Sequence, residues 1–177
     1  LTQPAVVSIT QSCETGTVYD LDEISSISEI AHAHGLKVHM DGARFANAIA
    51  ALNVSPAEMT WKLGIDVLSF GATKNGCIAA EAIIFFKKDL IGNFPFLRKR
   101  SGHLISKMRF ISTQLEAYLS NDVWLRNARH ANSMASLLSK GLDEFTDIKL
   151  VYPTQSNEVF VNLPNLLVNH LNDQNNK

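Results

Sequence analysis

The sequence has few cysteines and no long apolar run, and each shortage excludes a class of protein. Its 177 residues include two cysteines, Cys13 and Cys77, which are far apart and form no C-x-x-C pair. Neither a disulfide framework nor a thiolate zinc site is indicated, and a reducing, cytoplasmic location is expected. No apolar stretch reaches the roughly 18 residues of a membrane span. The first residues show no basic region followed by an apolar one, but the chain starts at Leu1 without a methionine, so we expect both ends to be cut and export stays an open alternative.

The sequence also lacks a strong charge and the common nucleotide motifs. Its formal net charge is -1, and no basic run is interleaved with aromatic residues, so nucleic acid is not an expected partner. Neither G-x-x-x-x-G-K-[ST] nor G-x-G-x-x-G occurs. With 46% hydrophobic and 19% charged residues, the chain has the composition of a globular protein with a sizeable core.

The first forty residues have a strand, helix, strand pattern. Residues 5–10 form an apolar run that predicts a buried strand. Asp20 and Glu23 have the spacing of a capping box, a helical stripe follows, and Gly35 is a suitable helix stop. Residues 36–40 then predict a second strand. A helix of this length between two apolar strands indicates a parallel crossover.

The pattern continues as an α/β arrangement. Two helices are predicted next, one over residues 45–52 and one that is capped by Ser55 and ends at Gly64. Residues 65–70 predict another strand. The eight residues 73–80 are too few for a crossover helix, so the strand predicted at residues 81–86 should be antiparallel. The predicted fold is therefore a mostly parallel mixed sheet flanked by helices.

Polar residues follow the parallel strands where each strand ends. Asp41, Gly42 and Arg44 follow the second strand, and Lys74 and Gly76 follow the third, with Lys74 33 residues after Asp41. Ligands bind at this edge of open α/β sheets. A lysine can condense with the aldehyde of pyridoxal phosphate, and an acid can hold the cofactor's ring nitrogen protonated. The pair therefore indicates a pyridoxal phosphate site.

Structural interpretations of the same residues stay open. Taken singly, Asp41 could be a helix cap or a solvated turn residue, and Lys74 a surface lysine. Three histidines have no metal-ligand spacing and are interpreted as structural: His32, His34 and His39. No metal site is predicted. His103 is harder to dismiss because it lies in a basic cluster, in which Lys107 or Arg109 could reach a phosphate.

Several runs of the sequence closely resemble the low-specificity L-threonine aldolases. These are fold-type-I pyridoxal phosphate enzymes of the β-eliminating lyase and threonine aldolase family. The resemblance lies in V-H-M-D-G-A-R (residues 38–44), S-P-A-E-M-T-W-K (55–62), L-S-F-G-A-T-K-N-G (68–76), R-K-R-S-G-H-L (98–104), S-K-M-R-F (106–110) and W-L-R-N-A-R-H-A-N (124–132). It covers most of the chain.

The resemblance implies roles for four residues. Lys74 would be the Schiff-base lysine, Asp41 the partner of the pyridine nitrogen, and Arg44 a contact to the cofactor's ring oxygen or to the substrate carboxylate. Arg109 would contact the phosphate, either of its own subunit or of a neighbouring one, since the resemblance implies a homodimer or homotetramer for the full-length protein. The family's phosphate loop, its ring-stacking histidine and its second carboxylate-binding arginine have no counterpart here. We therefore expect the 177 residues alone to be a poor catalyst.

The resemblance also implies a domain division and an activity. Residues 1–120 would belong to the large cofactor-binding domain, and residues 121–177 would form a linking helix and the start of a small C-terminal domain. The implied reaction is cleavage of L-threonine and related β-hydroxy amino acids to glycine and an aldehyde. Two alternatives remain: another fold-type-I enzyme such as a β-eliminating lyase, and a non-catalytic fragment that associates with a partner chain.

Overall fold

A four-stranded mixed sheet carries the N-terminal half of the chain. The computed structural model describes residues 2–175. Its strands and helices are, in chain order, β1 (Val6–Thr10), α1 (Leu21–Ala33), β2 (Lys37–Gly42), α2 (Phe45–Leu52), α3 (Pro56–Met59), β3 (Val67–Gly71), β4 (Glu81–Phe85), α4 (Phe94–Arg100), α5 (Arg109–Leu119), α6 (Val123–Asp143), β5 (Lys149–Leu150), β6 (Val161–Asn162) and α7 (Asn165–Asn175). Within residues 2–175, no helix is both long enough and apolar enough to cross a membrane.

The strand order of the main sheet follows the chain order. β1, β2 and β3 are parallel, and β4 is antiparallel to β3, as the short connection predicts. In the register, Asp41 lies between Thr10 of β1 and Ser69 of β3. The predicted α/β fold class is confirmed, and the carboxyl ends of the three parallel strands meet at one edge.

The two faces of the main sheet differ in polarity because side chains alternate along each strand. One face carries buried apolar residues such as Val38 and Met40, and it shares a core with buried residues of α1, α2 and α6. On this face Phe70 packs against the rings of Phe45, Tyr118 and Trp124 at centroid distances of 5.9, 6.1 and 6.2 Å. The other face carries Ser8, Thr10, His39, Asp41 and Ser69, which are exposed or half-buried.

Most of the predicted helix starts are confirmed, and one helix is shorter than predicted. Asp20 with Glu23 and Ser55 with Glu58 both form complete capping boxes. The helix after Ser55 was expected to run to Gly64, but α3 ends at Met59 and a 3₁₀ turn follows at Trp61–Leu63. The Thr60 hydroxyl donates to the Pro56 carbonyl at 2.6 Å, a local bond of the kind that competes with helix continuation.

The C-terminal half is more helical than the sequence pattern indicated. The sequence pattern predicts a helix over residues 122–145, short strands at 149–152 and 158–163, and a helix from residue 166, and α6, the antiparallel pair of β5 and β6, and α7 lie there. No pattern predicts α4 or α5. α6 packs along α2, and Asn47 and Asn132 exchange two hydrogen bonds of 3.0 and 2.9 Å between these helices. The division of the chain into two domains near residue 120 stays a prediction.

A buried carboxylate lies just before β3, at the end of the main sheet opposite the carboxyl ends of the parallel strands. Asp66 is fully buried and accepts a hydrogen bond of 2.8 Å from the Val38 N–H. The His32 ring and the Lys87 ammonium also contact it, at 2.9 and 2.5 Å. Burial works against the charge of Asp66, but Lys87, His32 and the Val38 N–H together hold the pKa of this carboxyl below its usual value. Asp66 therefore ties α1 and β2 to β3 and β4.

Candidate active site

The predicted site residues gather at the carboxyl edge of the parallel strands. β1 ends at Thr10, β2 at Gly42 and β3 at Gly71. Asp41 is the cross-strand neighbour of Thr10 on one side and of Ser69 on the other. Lys74 follows the end of β3 by three residues. Asp41 and Lys74 are therefore presented by adjacent strands at the same edge.

The Asp41 carboxylate is fixed by the turn that follows it. Asp41 is half-buried, and its Oδ1 accepts a hydrogen bond of 2.9 Å from the N–H of Ala43. Its backbone carbonyl accepts the Gln11 N–H at 2.8 Å, which extends the pairing of β1 with β2 by one residue. One carboxylate oxygen is thus held by the backbone. The local bond is the turn interaction that the structural interpretation of Asp41 expects, and it also orients the second oxygen.

Lys74 lies in a short 3₁₀ turn that is anchored to two helices. The turn spans Thr73–Asn75, and the Lys74 side chain is exposed. Asn75 donates from Nδ2 to the Tyr118 hydroxyl at 2.6 Å and to the Trp124 carbonyl at 2.9 Å, which ties the turn to α5 and α6. Burial raises the pKa of the Tyr118 phenol, which further favours the neutral form that a tyrosine already takes near pH 7. The helices therefore fix the backbone that carries Lys74.

Two glycines permit the geometry of this edge. Gly76 closes the Lys74 turn with a φ of +124°, a conformation that other residues rarely adopt, and an added Cβ would lie 2.9 Å from Asn127 Nδ2. An added Cβ on Gly71 would lie 2.7 Å from the Cα of Ala43. Because Ala43 belongs to the Asp41 turn, the small size of Gly71 lets the two site segments approach each other.

His39 forms a hydrogen-bonded row with two serines, next to Asp41. Its Nδ1 lies 2.8 Å from Ser8 Oγ, and its Nε2 lies 2.8 Å from Ser69 Oγ. His39 is two residues before Asp41 on the same face of β2. The row links the three parallel strands, as expected of a structural histidine. Thr73, in contrast, uses its hydroxyl to accept the Ala80 N–H at 3.1 Å.

Arg44 forms an ion pair with a residue that the sequence did not single out. Its Nη2 lies 2.6 Å from Oε1 of Glu158, and the two side chains are 14% and 20% exposed. Glu158 belongs to a segment that packs on the loop after β1. In this segment the Ser156 hydroxyl donates to the Gly16 carbonyl at 2.9 Å, and Gln155 Oε1 accepts the Val18 N–H at 2.8 Å.

Several buried polar atoms near this segment have no hydrogen-bond partner. Within the described residues they include Ser12 Oγ, Arg44 Nη1, Thr154 Oγ1, Asn157 Oδ1 and Glu158 Oε2. Native proteins pair nearly all buried polar atoms, and an exception calls for an explanation such as a bound water or ion, a catalytic role or stored strain. The arrangement fits a polar site between the carboxyl edge of the sheet and residues 154–158.

The basic residues of the C-terminal half do not join this group. Arg109 is exposed at the start of α5, where its guanidinium lies 5.2 Å from the Phe110 ring centroid. His103 and Lys107 are exposed in the preceding connection. Within residues 2–175, the side-chain hydrogen bond of Asp41 and the ion pair of Arg44 do not include Arg109. Its contact with a phosphate stays a prediction.

Comparison with known proteins identifies the family. The beta-eliminating lyase family matches residues 2–165. The chain belongs to the beta-eliminating lyase family. This family member is 48% identical over 161 residues to the low specificity L-threonine aldolase of Pseudomonas aeruginosa. The match covers 91% of this chain and 46% of the relative. The chain thus spans about half the length of the curated relatives it matches.

Solved structures share the fold of this beta-eliminating lyase family member. A threonine aldolase structure from Leishmania major matches with a TM-score of 0.88 and 32% identity over 96% of this chain and 49% of that chain. A PLP-bound putative aminotransferase from Clostridium difficile 630 matches with a TM-score of 0.71 and 14% identity over 89% and 43%. These structures confirm the predicted fold class, and the family match over residues 2–165 confirms the predicted family.

Sequence reasoning about this family member missed the residues that support the site. Glu158 is 114 residues from Arg44, and no local pattern connects the two. Tyr118 and Trp124 were also missed. A signal for α5 was present, because Ile111, Leu115 and Tyr118 recur at helical spacing and all face the core.

Proposed function

We propose that the full-length protein is a pyridoxal phosphate-dependent aldolase. It would cleave L-threonine and related β-hydroxy-α-amino acids to glycine and an aldehyde, which is acetaldehyde for L-threonine. The observation that carries this proposal is the placement of Asp41 and Lys74 at one edge of adjacent strands, with Gly71 and Ala43 in close approach between them. The 48% identity to the low specificity L-threonine aldolase of Pseudomonas aeruginosa supports the substrate class.

The residues at this edge suit pyridoxal phosphate. The exposed Lys74 amine is free to bond to the cofactor aldehyde, and the Asp41 carboxylate can hold the ring nitrogen protonated. When bound, the cofactor supplies a cationic ring that accepts the electron pair released as the Cα–Cβ bond breaks. The buried Ser12 Oγ and Arg44 Nη1, which have no partner in the part of the chain that the structure describes, add donors at this edge that a ligand could use.

The remaining site residues would bind and orient. Arg44 would contact the cofactor's ring oxygen or the substrate carboxylate, since a guanidinium forms strong hydrogen bonds to such oxygens. Arg109 would contact a cofactor phosphate, that of a neighbouring subunit if the chains associate. Binding that holds the scissile bond in one orientation lowers the barrier by several kcal/mol, on the order of the gains seen for well-oriented reactants.

We also propose a homodimer or homotetramer in the cytoplasm. Both cysteines are free, which supports a reducing compartment. Apolar side chains on α6, Leu137 and Leu138, are 66% and 54% exposed, which supports a further packing surface. Light scattering coupled to size-exclusion chromatography of the full-length protein measures the assembly.

The products of L-threonine cleavage test the proposed reaction. Full-length protein saturated with pyridoxal phosphate should release glycine and acetaldehyde in equal amounts. Release of ammonia and an oxo acid instead would identify a β-eliminating lyase. Failure to bind the cofactor would support the non-catalytic alternative.

Borohydride reduction tests the assignment of Lys74. Reduction of the full-length protein with bound cofactor, followed by peptide mapping, should place the label on Lys74. Lys74→Ala should abolish labelling and turnover, whereas Lys62→Ala is the matched control because Lys62 is also an exposed lysine in a 3₁₀ turn. Label on Lys62 or Lys107 would overturn the assignment.

A further inference from the structure

Arg44 and Glu158 make fewer hydrogen bonds to each other than their side chains allow. A guanidinium and a carboxylate can join through two N–H to O bonds. Here one contact is made, between Nη2 and Oε1 at 2.6 Å. Arg44 Nη1 and Glu158 Oε2 are both buried, and neither has a hydrogen-bond partner among residues 2–175. Such orphaned atoms are costly, so this arrangement calls for a functional explanation.

Glu158 is held in place independently of Arg44. An added Cβ on Gly16 would lie 3.0 Å from the Glu158 Cβ, so the backbone of the β1 loop packs directly against the base of this side chain. Two residues earlier, the Ser156 hydroxyl donates to the Gly16 carbonyl at 2.9 Å. The loop after β1 therefore holds Glu158 in place, and Glu158 can orient the Arg44 guanidinium.

We propose that Glu158 is a positioning residue for Arg44. It holds the guanidinium through Nη2 and leaves Nη1 open for the carboxylate of the amino acid substrate. This inference rests on the proposed function and names which arginine atom receives the substrate. Without Glu158, the mostly buried Arg44 guanidinium would have no acceptor to fix its plane and no negative charge to neutralise its own. The substrate carboxylate would then have to order the guanidinium on binding.

Ligand binding in variants of the full-length, cofactor-loaded protein tests this proposal. The dissociation constant of glycine is read from the change in cofactor absorbance for wild type, Arg44→Ala, Glu158→Ala and the double variant. Each single substitution should weaken glycine binding by about 10-fold, the order of one charge-assisted hydrogen bond. The double variant should match Arg44→Ala, because Glu158 acts through Arg44. For L-threonine, KM should rise in parallel while kcat changes less than about 3-fold.

Two comparisons separate a loss of Arg44 positioning from a general disturbance of the protein structure. Ethanolamine lacks the carboxylate, so its binding should be the same in wild type and Glu158→Ala. Glu144→Ala, which removes an exposed carboxylate at the end of α6, should leave glycine binding unchanged. If Glu158→Ala does not fold, Glu158→Gln takes its place, and a rise of about 3-fold is expected because a neutral amide holds a guanidinium more weakly than a carboxylate does.

Three results would overturn the proposal while the proposed function stands: unchanged glycine binding in Glu158→Ala, losses that multiply in the double variant, or an equal loss for ethanolamine. A wild-type protein that neither binds glycine nor cleaves L-threonine would refute the proposed function, and the role of Glu158 would fall with it.

Discussion

Gly71 and Ala43 approach each other so closely that a Cβ on Gly71 would lie 2.7 Å from the Ala43 Cα and 3.0 Å from the Ala43 carbonyl oxygen. The two residues belong to different strand ends, one leading to Lys74 and the other following Asp41. Both of these contacts are with backbone atoms, which cannot rotate away as a long side chain can. The separation of the two proposed cofactor-binding segments is therefore set at this point.

Substitution of Gly71 by alanine should push these segments apart. We expect the free energy of unfolding to fall by about 1–3 kcal/mol, the usual cost of adding a methyl group to a full site. Turnover of L-threonine should fall on the order of 10²-fold, since small misplacements of reacting groups have effects of that size. Thermal unfolding and steady-state kinetics of the full-length protein measure both.

Gly141→Ala is the matched control for this substitution. Gly141 lies in α6, and an added Cβ there would meet no atom of the described residues within 4 Å apart from its own helix backbone. The change should stabilise the protein by about 0.5–1 kcal/mol, because alanine is the better helix former, and leave turnover unchanged. Equal stability of Gly71→Ala and wild type would show that the Asp41 turn can move without cost.

Asp41→Asn separates the charge of Asp41 from its turn-forming bond. The asparagine oxygen can still accept the Ala43 N–H, so the turn should survive. Loss of the charge should lower kcat by on the order of 10²-fold, or about 3 kcal/mol of barrier. Cofactor content, measured by absorbance, should change far less. Unchanged turnover would mean that Asp41 serves only the turn.

Asp66 should stabilise the fold in a pH-dependent way. Its pKa is held below that of an unfolded aspartate by Lys87, His32 and the Val38 N–H, despite burial. The stabilisation is therefore complete above the unfolded value, about pH 4, and is lost as the pH falls through the lower folded value. Asp66→Asn should cost about 1–3 kcal/mol at pH 7, because the amide has no charge and only one acceptor oxygen for Lys87, His32 and the Val38 N–H.

Denaturant titrations at several pH values check this expectation. The difference between wild type and Asp66→Asn should shrink as the pH is lowered from about 5 to 2, since the wild-type carboxyl then becomes neutral as well. Asp89→Asn removes an exposed carboxyl and is the control. A difference that stays constant over this range would show that the charge of Asp66 is not the stabilising property.

The two cysteines should differ in reactivity. Burial opposes ionisation of Cys13, but the hydroxyls of Thr15 and Thr17 outweigh it and hold the pKa of this thiol below its usual value. Burial and the nearby Glu81 raise the pKa of the Cys77 thiol. Because the thiolate is the nucleophile, Cys13 should be alkylated faster by iodoacetamide near neutral pH. Mass spectrometry of timed samples measures the ratio, and Thr17→Val should reduce it. Faster labelling of Cys77 would contradict the expectation.

The sequence predicted local features of the site better than distant ones. Asp41 and Lys74 could be placed at one edge because apolar runs and capping boxes locate the strand ends, and parallel strands share an edge. The pairing of Arg44 with Glu158 could not be predicted, since it depends on how residues 154–158 fold back onto the β1 loop. The anchoring of Asn75 by Trp124 likewise depends on the path of α5 and α6.

The strand order of the main sheet matters for synthesis of the protein as well as for its finished form. Each strand from β2 to β4 pairs with the strand made immediately before it. At typical translation rates of about 5–20 residues per second, Lys74 is made roughly 2–7 s after Asp41, which it follows by 33 residues. The strands β1 and β2, which carry Asp41, can therefore pair first during synthesis. The strand β3, which Lys74 follows, then pairs with a β2 that is already in place.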